Sequence, residues 1–100
     1  MSADLGAWWS DRTAGAPPAL VRCAERYLEP GWPAEPFALG AAGLRALEAT
    51  LRLGPDRRAA LDLLAADALV TSALQAEAEL APHRLVTSAR TLRHLASGAA

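Results

Sequence analysis

The side chains best suited to binding chemistry are concentrated near the C-terminus, between residues 82 and 97. This stretch holds both histidines and three of the ten arginines, on the polar side of an amphipathic helical pattern. Guanidinium groups donate paired hydrogen bonds to phosphate oxygens, so such a face could bind a small anion or nucleic acid. The candidate anion-binding residues are His83, Arg84, Arg90, Arg93 and His94.

The two histidines do not predict a metal site, although they point to the same side of the helix. Eleven residues separate His83 from His94, or about 16 Å at a rise of about 1.5 Å per residue, whereas a metal–nitrogen bond is about 2 Å long. Cys23 is the only cysteine, and the Glu-x-x-His pair of di-iron bundles is missing. The sequence therefore predicts neither a metal ion nor another cofactor, and it predicts a buried, unreactive thiol at Cys23.

Two carboxylates in the most apolar stretch, residues 59–76, raise the question of acid–base catalysis. On a helix with about 100° per residue, Asp62 and Asp67 point about 140° apart and cannot act on one substrate atom. We expect each carboxylate to reach solvent or an arginine at the edge of an apolar face, with Arg58 as a local partner of Asp62. A Gly-x-Ser-x-Gly nucleophile turn is also missing. The sequence favours a non-enzymatic protein and leaves open an active site assembled from distant residues.

Helices must position these side chains, because the chain has only three valines, five threonines and no isoleucine, and no stretch alternates over the length of a strand. The predicted fold is all-α: a small bundle of four to five helices forming one domain over residues 1–100. Prolines and glycines separate the predicted helices, which span residues 3–13, 17–29, 37–53, 55–80 and 82–97. We expect first-turn prolines at positions 17, 55 and 82, a Pro-rich connector at residues 30–36 and a frayed end at residues 97–100.

The fourth helix is expected to be central, because it is rich in Ala and Leu and is apolar on two sides. Its two aspartates oppose a membrane span, since an ionised carboxylate near the bilayer centre costs several kcal/mol. The broad apolar side consists of Leu61, Leu64, Ala65, Ala68, Leu69, Ser72 and Ala76. The narrower side consists of Leu63, Val70 and Leu74, and we expect these three residues to form an interface with another chain.

Aromatic side chains cluster in the first forty residues, where they could wall a ligand pocket or fill the core. With 25 alanines among 100 residues, the core needs bulk from other side chains, which favours the core interpretation. The residues concerned are Trp8, Trp9, Tyr27, Trp32 and Phe37.

Charge and composition limit the function classes. Ten arginines against eleven acidic residues leave no global field that would attract nucleic acid, so nucleic acid is a less favoured partner. The absence of Lys, Ile and Asn is typical of a GC-rich bacterial genome, and the lack of a signal peptide predicts a cytoplasmic protein. The leading hypothesis is a helical protein–protein interaction or assembly module that forms a homo-oligomer or binds another protein. The alternative is a ligand-, anion- or nucleic-acid-binding domain that uses the Arg/His face of the last helix.

Overall fold

The computed structural model describes residues 5–28, 31–33 and 35–99 of the chain, and this part contains five α-helices. They are α1 (Leu5–Arg12), α2 (Pro18–Arg26), α3 (Pro36–Leu53), α4 (Arg57–Leu80) and α5 (Leu85–Ala99), with a 3-10 turn at Pro82–Arg84 before α5. This all-α bundle confirms the predicted fold class. Some of the predicted positions lie outside the described residues. They are positions 3, 4 and 29 of the predicted helices, positions 30 and 34 of the predicted connector, and position 100 of the predicted frayed end. α5 continues past its predicted end at Ser97.

The helix boundaries follow from proline, aspartate and glycine side-chain chemistry. Pro18 and Pro36 occupy first-turn positions, where the missing amide hydrogen costs nothing. Pro55 does not occupy the predicted first turn, because Asp56 caps α4 and accepts a hydrogen bond of 2.8 Å from the amide of Arg58. Gly54 follows α3 with a φ of 66°, and its freedom from a Cβ allows the chain to turn directly into α4.

α3 packs closely against both α4 and α5 because two glycines remove side chains from the contacts. A Cβ at Gly43 would lie 2.7 Å from Cγ2 of Val70 and 3.1 Å from the carbonyl oxygen of Ala66, both in α4. A Cβ at Gly40 would lie 2.7 Å from Cδ1 of Leu92 in α5. The Gly40-x-x-Gly43 spacing therefore marks helix contacts in this bundle and not a phosphate-binding loop.

The hydrophobic core lies where α1, α2 and α3 meet the inner side of α4. Trp9 is its largest buried side chain, only 1% exposed, and its ring centroid lies 6.0 Å from that of the more exposed Trp32. The remaining members are mostly Leu and Ala: Leu5, Cys23, Ala24, Leu28, Leu39, Ala42, Ala65, Leu69, Ala73 and Ala76.

The buried side of α4 differs from the predicted one. Ala65, Leu69, Ser72 and Ala76 are buried as expected, but Leu64 is 54% exposed, and Ala59, Ala66, Ala73 and Glu77 are buried instead. The physical reason is the position of α3, which meets α4 at Ala66, Leu69 and Val70 opposite Gly43 and so covers a different side of the helix from the predicted one. Leu64 lies outside this contact and remains exposed.

Candidate functional site

Asp62 forms the polar centre of the contact between α2 and α4. Its Oδ1 accepts a hydrogen bond of 2.7 Å from the Tyr27 hydroxyl and one of 3.4 Å from the Cys23 thiol. Cys23 lies in the last turn of α2 and Tyr27 directly follows this helix, one turn further along the chain, so the carboxylate holds the C-terminal end of α2 against α4. The expected partner, Arg58, instead approaches Oδ1 of Asp56, 3.9 Å from its Nε. The predicted pairing of Asp62 with Arg58 is therefore wrong, whereas the half-buried carboxylate still borders an open cleft, as expected for a position at the edge of an apolar face.

The thiol and the phenol beside Asp62 are hydrogen-bond donors and not nucleophiles at neutral pH. Burial raises the pKa of the Cys23 thiol, and the hydrogen bond to Asp62 adds to this effect. Burial also raises the pKa of Tyr27 to about 12, with Asp62 again contributing. The buried position of Cys23 agrees with the predicted unreactive thiol.

A cleft of about 590 Å³ opens beside this carboxylate, between α2 and the start of α4. Asp62 lines the cleft, and in the described part of the chain its Oδ2 has no hydrogen-bond partner and is not enclosed. A second groove of about 470 Å³ on α2 shares Cys23, Arg26 and Leu61 with it. The cleft is lined by Cys23, Arg26, Tyr27, Leu53, Arg58, Leu61 and Asp62. It therefore combines one carboxylate, two guanidinium groups and a partly apolar wall.

The structure does not gather the five predicted anion-binding residues into one site. All five are exposed, and His83 and Arg84 line a groove of about 320 Å³ beside Phe37 that does not include the other three. Arg84 is occupied by carboxylates: its Nη2 lies 2.7 Å from Glu35 Oε2, and its Nε lies 3.6 Å from Glu77 Oε1. Arg90, Arg93 and His94 remain on the solvent side of α5. Carboxylate pairing thus removes one of the three arginines from the predicted phosphate-binding face.

Glu77 is a buried carboxylate of α4 that lies beside α5 and the turn before it. It is 1% exposed, and its Oε1 accepts a hydrogen bond of 3.0 Å from the Ser88 hydroxyl. Its Oε2 is enclosed and has no hydrogen-bond partner among the described side chains. Glu77, Ser88 and Arg84 therefore connect α4 to α5 and to the turn before it.

The predicted interface stripe is divided by the packing of α3. Leu63 is 49% exposed, whereas Val70 is half-buried against Gly43 and Leu74 is half-buried. Leu64, predicted to face the core, is exposed next to Leu63. The apolar surface on the outside of α4 is therefore centred on Leu63 and Leu64, and Val70 belongs to the contact with α3.

Among the described residues, the aromatic side chains are distributed between the core and two different grooves. Trp9 lies in the core and donates a hydrogen bond of 3.1 Å from Nε1 to Glu25. Trp8 donates one of 2.6 Å from Nε1 to Glu79. Tyr27 and Phe37 line two different grooves, and Trp32 is 44% exposed over Trp9. Only part of the group fills the core as expected.

Comparisons with known proteins give no assignment: no family model, curated protein or solved structure matches the chain. Among the residues that the structure describes, no group of three or more His, Cys, Asp or Glu side chains could hold a metal ion.

The hydrogen bond between Tyr27 and Asp62 can be measured directly, because Tyr27 is the only tyrosine in the chain. We expect its phenolate absorbance to appear with a midpoint near pH 12 instead of the usual 10. The folded-state pKa is raised, so the stabilisation that Tyr27 contributes is present below about pH 10 and is lost as the pH rises through 12. Asp62→Asn should lower the midpoint, because it removes the negative charge beside the phenol.

Asp67→Asn is the matched control, since Asp67 is exposed on the outside of α4 and should leave the titration unchanged. Circular dichroism at each pH would establish that the chain is still folded. A midpoint near 10 in folded wild-type protein would contradict the Tyr27–Asp62 geometry.

Proposed function

We propose that the chain is a non-enzymatic helical interaction module that associates with a second copy of itself through the outside of α4. The observation that carries the proposal is the adjacent pair Leu63 and Leu64, which are 49% and 54% exposed on the outer side of α4. Burying such side chains contributes about 25 cal/mol per Å² of apolar surface. Leu74, half-buried on the same side, extends this surface towards the C-terminal end of α4.

Charges beside the leucine pair favour a second copy as the partner. Within residues 5–28, 31–33 and 35–99, neither Arg57 nor Asp67 forms an ion pair, and both are exposed. If two α4 helices pack antiparallel around a two-fold axis at Leu63 and Leu64, Arg57 of one chain lies about 5 Å along the axis from Asp67 of the other. The axes of packed helices are about 8 to 10 Å apart, and the arginine and aspartate side chains extend towards each other across this gap. The symmetric arrangement therefore places two ion pairs around four leucines.

A membrane would be the other apolar environment for this helix. By length and composition, α4 is the one helix in the described chain that could cross a bilayer, and the central helix of a soluble protein passes the same test. In this bundle α4 carries Asp62 in hydrogen bonds to α2 and the buried Glu77 beside α5. A bilayer would have to replace these contacts while accepting both carboxylates, so a protein partner is favoured.

The anion-binding alternative on α5 is less well supported. Glu35 and Glu77 partly neutralise Arg84. Of the three arginines on this face, Arg90 and Arg93 are then the exposed ones without an ion pair in the described chain. Two arginines and two histidines spread along a helix are a thin basis for phosphate binding. This alternative stays a prediction that phosphate titration can test.

Reversing one charge of the proposed ion pair should weaken association. Asp67→Arg would place two arginines near each other at both ends of the leucine cluster, and we expect the dissociation constant of the dimer to rise about tenfold. Arg57→Asp should act similarly, and the double variant should recover most of the affinity because the pair is restored in the opposite sense. Sedimentation velocity over a range of concentrations measures all three.

Asp11→Arg is the control, because it makes the same charge change at an exposed position of α1. Leu64→Ser should weaken the dimer, whereas Val86→Ser, which alters a side chain 61% exposed on α5, should not. If the protein dimerises and all α4 variants behave like their controls, association uses a different surface.

A further inference from the structure

The cleft between α2 and α4 has the composition of a binding site that the self-association surface does not use. Leu63, Leu64 and Asp67 lie outside the residues that line the cleft. Its volume of about 590 Å³ lies in the range of small-molecule sites, about 300 to 1,000 Å³. Its polar groups are one carboxylate and two guanidinium groups, and Leu53 and Leu61 supply apolar wall.

The Asp62 carboxylate is fixed in orientation by two hydrogen bonds and can accept a further one. Cys23 of α2 and Tyr27, which follows this helix, both donate to Oδ1, which fixes the orientation of the carboxylate and leaves Oδ2 without a hydrogen-bond partner among the described residues. A carboxylate oxygen oriented in this way binds an ammonium or hydroxyl donor more strongly than a freely rotating one, because less conformational entropy is lost.

Arg26 supplies the opposite charge at the same cleft. It is exposed and takes part in no ion pair within the described residues, whereas Arg58 is drawn towards Asp56. A simple anion would be attracted by Arg26 but repelled by Asp62, and a simple amine would meet the reverse arrangement. A ligand with both charges satisfies both groups.

We infer that the α2–α4 cleft binds a small zwitterion with an apolar side chain, such as an amino acid or a short peptide. Its ammonium group donates to Asp62 Oδ2, its carboxylate pairs with Arg26, and its side chain lies against Leu53 and Leu61. This inference concerns a surface separate from the outside of α4 and does not depend on self-association.

Calorimetric titration with L-leucine and two matched probes tests the assignment. N-acetyl-L-leucine lacks the ammonium group, and L-leucinamide lacks the carboxylate. Wild-type protein should bind L-leucine in the millimolar range or better and each probe about tenfold more weakly, which is the effect of one charge-assisted hydrogen bond. Asp62→Asn should abolish the preference for leucine over N-acetyl-leucine, and Arg26→Gln should abolish its preference over leucinamide.

Asn at position 62 can still accept the hydrogen bond from Tyr27, so this variant should retain the fold, and its melting curve would show it. Arg90→Gln, an equal change on the solvent side of α5, should leave all three affinities unchanged. Absence of leucine binding at millimolar concentration, equal affinity for the three molecules, or binding that ignores both cleft variants would overturn the inference.

Discussion

Replacing Trp9 with alanine should lower the free energy of unfolding by about 3 to 5 kcal/mol, the usual cost of removing a fully buried aromatic side chain. Trp9 is 1% exposed and lies among core side chains that are mostly Ala and Leu. Alanine neighbours have no rotamers with which to fill the space, so most of the cavity should remain. The indole also donates to Glu25, and this hydrogen bond is lost with it. Urea denaturation followed by circular dichroism measures the change.

Trp32→Ala is the matched control, since it removes the same group from a position that is 44% exposed. It should cost about 1 kcal/mol, mainly through the lost ring contact with Trp9. Equal effects of the two substitutions would contradict the placement of Trp9 in the core.

Arg84→Met should destabilise the protein by about 2 to 3 kcal/mol, because it leaves the Glu77 carboxylate buried with Ser88 as its remaining polar side-chain partner among the described residues. Glu77→Leu removes the buried charge and its unpartnered oxygen and replaces them with apolar atoms of similar volume. Such replacements are often neutral or stabilising. In the Glu77→Leu background, Arg84→Met should therefore cost less than about 1 kcal/mol, which a double-mutant cycle of chemical denaturation measures.

Glu35→Gln distinguishes the contribution of the exposed Arg84–Glu35 pair from that of the Arg84 contact with the buried Glu77. The Arg84–Glu35 pair is close, 2.7 Å between Nη2 and Oε2, but both side chains are about half exposed. Its loss should cost no more than about 1 kcal/mol. If Arg84→Met has the same effect with and without Glu77, Arg84 does not stabilise the buried carboxylate.

Helix positions could be predicted from the sequence because their causes are local. Leucine and alanine recur at helical spacing, and breakers such as Gly54 lie between the helices. Even the contact positions Gly40 and Gly43 are visible as small residues on one helix. These features depend on neighbours within a few residues along the chain.

The partners of the polar side chains could not be predicted in this way. Asp62 bonds residues 35 and 39 positions earlier in the chain, and no periodic pattern relates them. The predicted buried side of α4 was also wrong at Leu64, because a helical wheel ranks side chains by hydrophobicity, whereas the neighbouring helix α3 determines which side of α4 is covered. Glu77 is buried where α4 meets Ser88 of α5, a contact that the helical wheel of α4 does not contain.

Self-association through the outside of α4 determines the mass of the wild-type protein in solution, so a measurement of that mass is its strongest test. A contact between two single helices buries less surface than a typical stable complex, which buries about 800 Å² per partner. We therefore expect a dimer with a micromolar dissociation constant. Sedimentation equilibrium over a series of concentrations should give an average mass that rises from one chain of 10.5 kDa towards two. A mass that stays at one chain up to millimolar concentration would contradict self-association through Leu63 and Leu64.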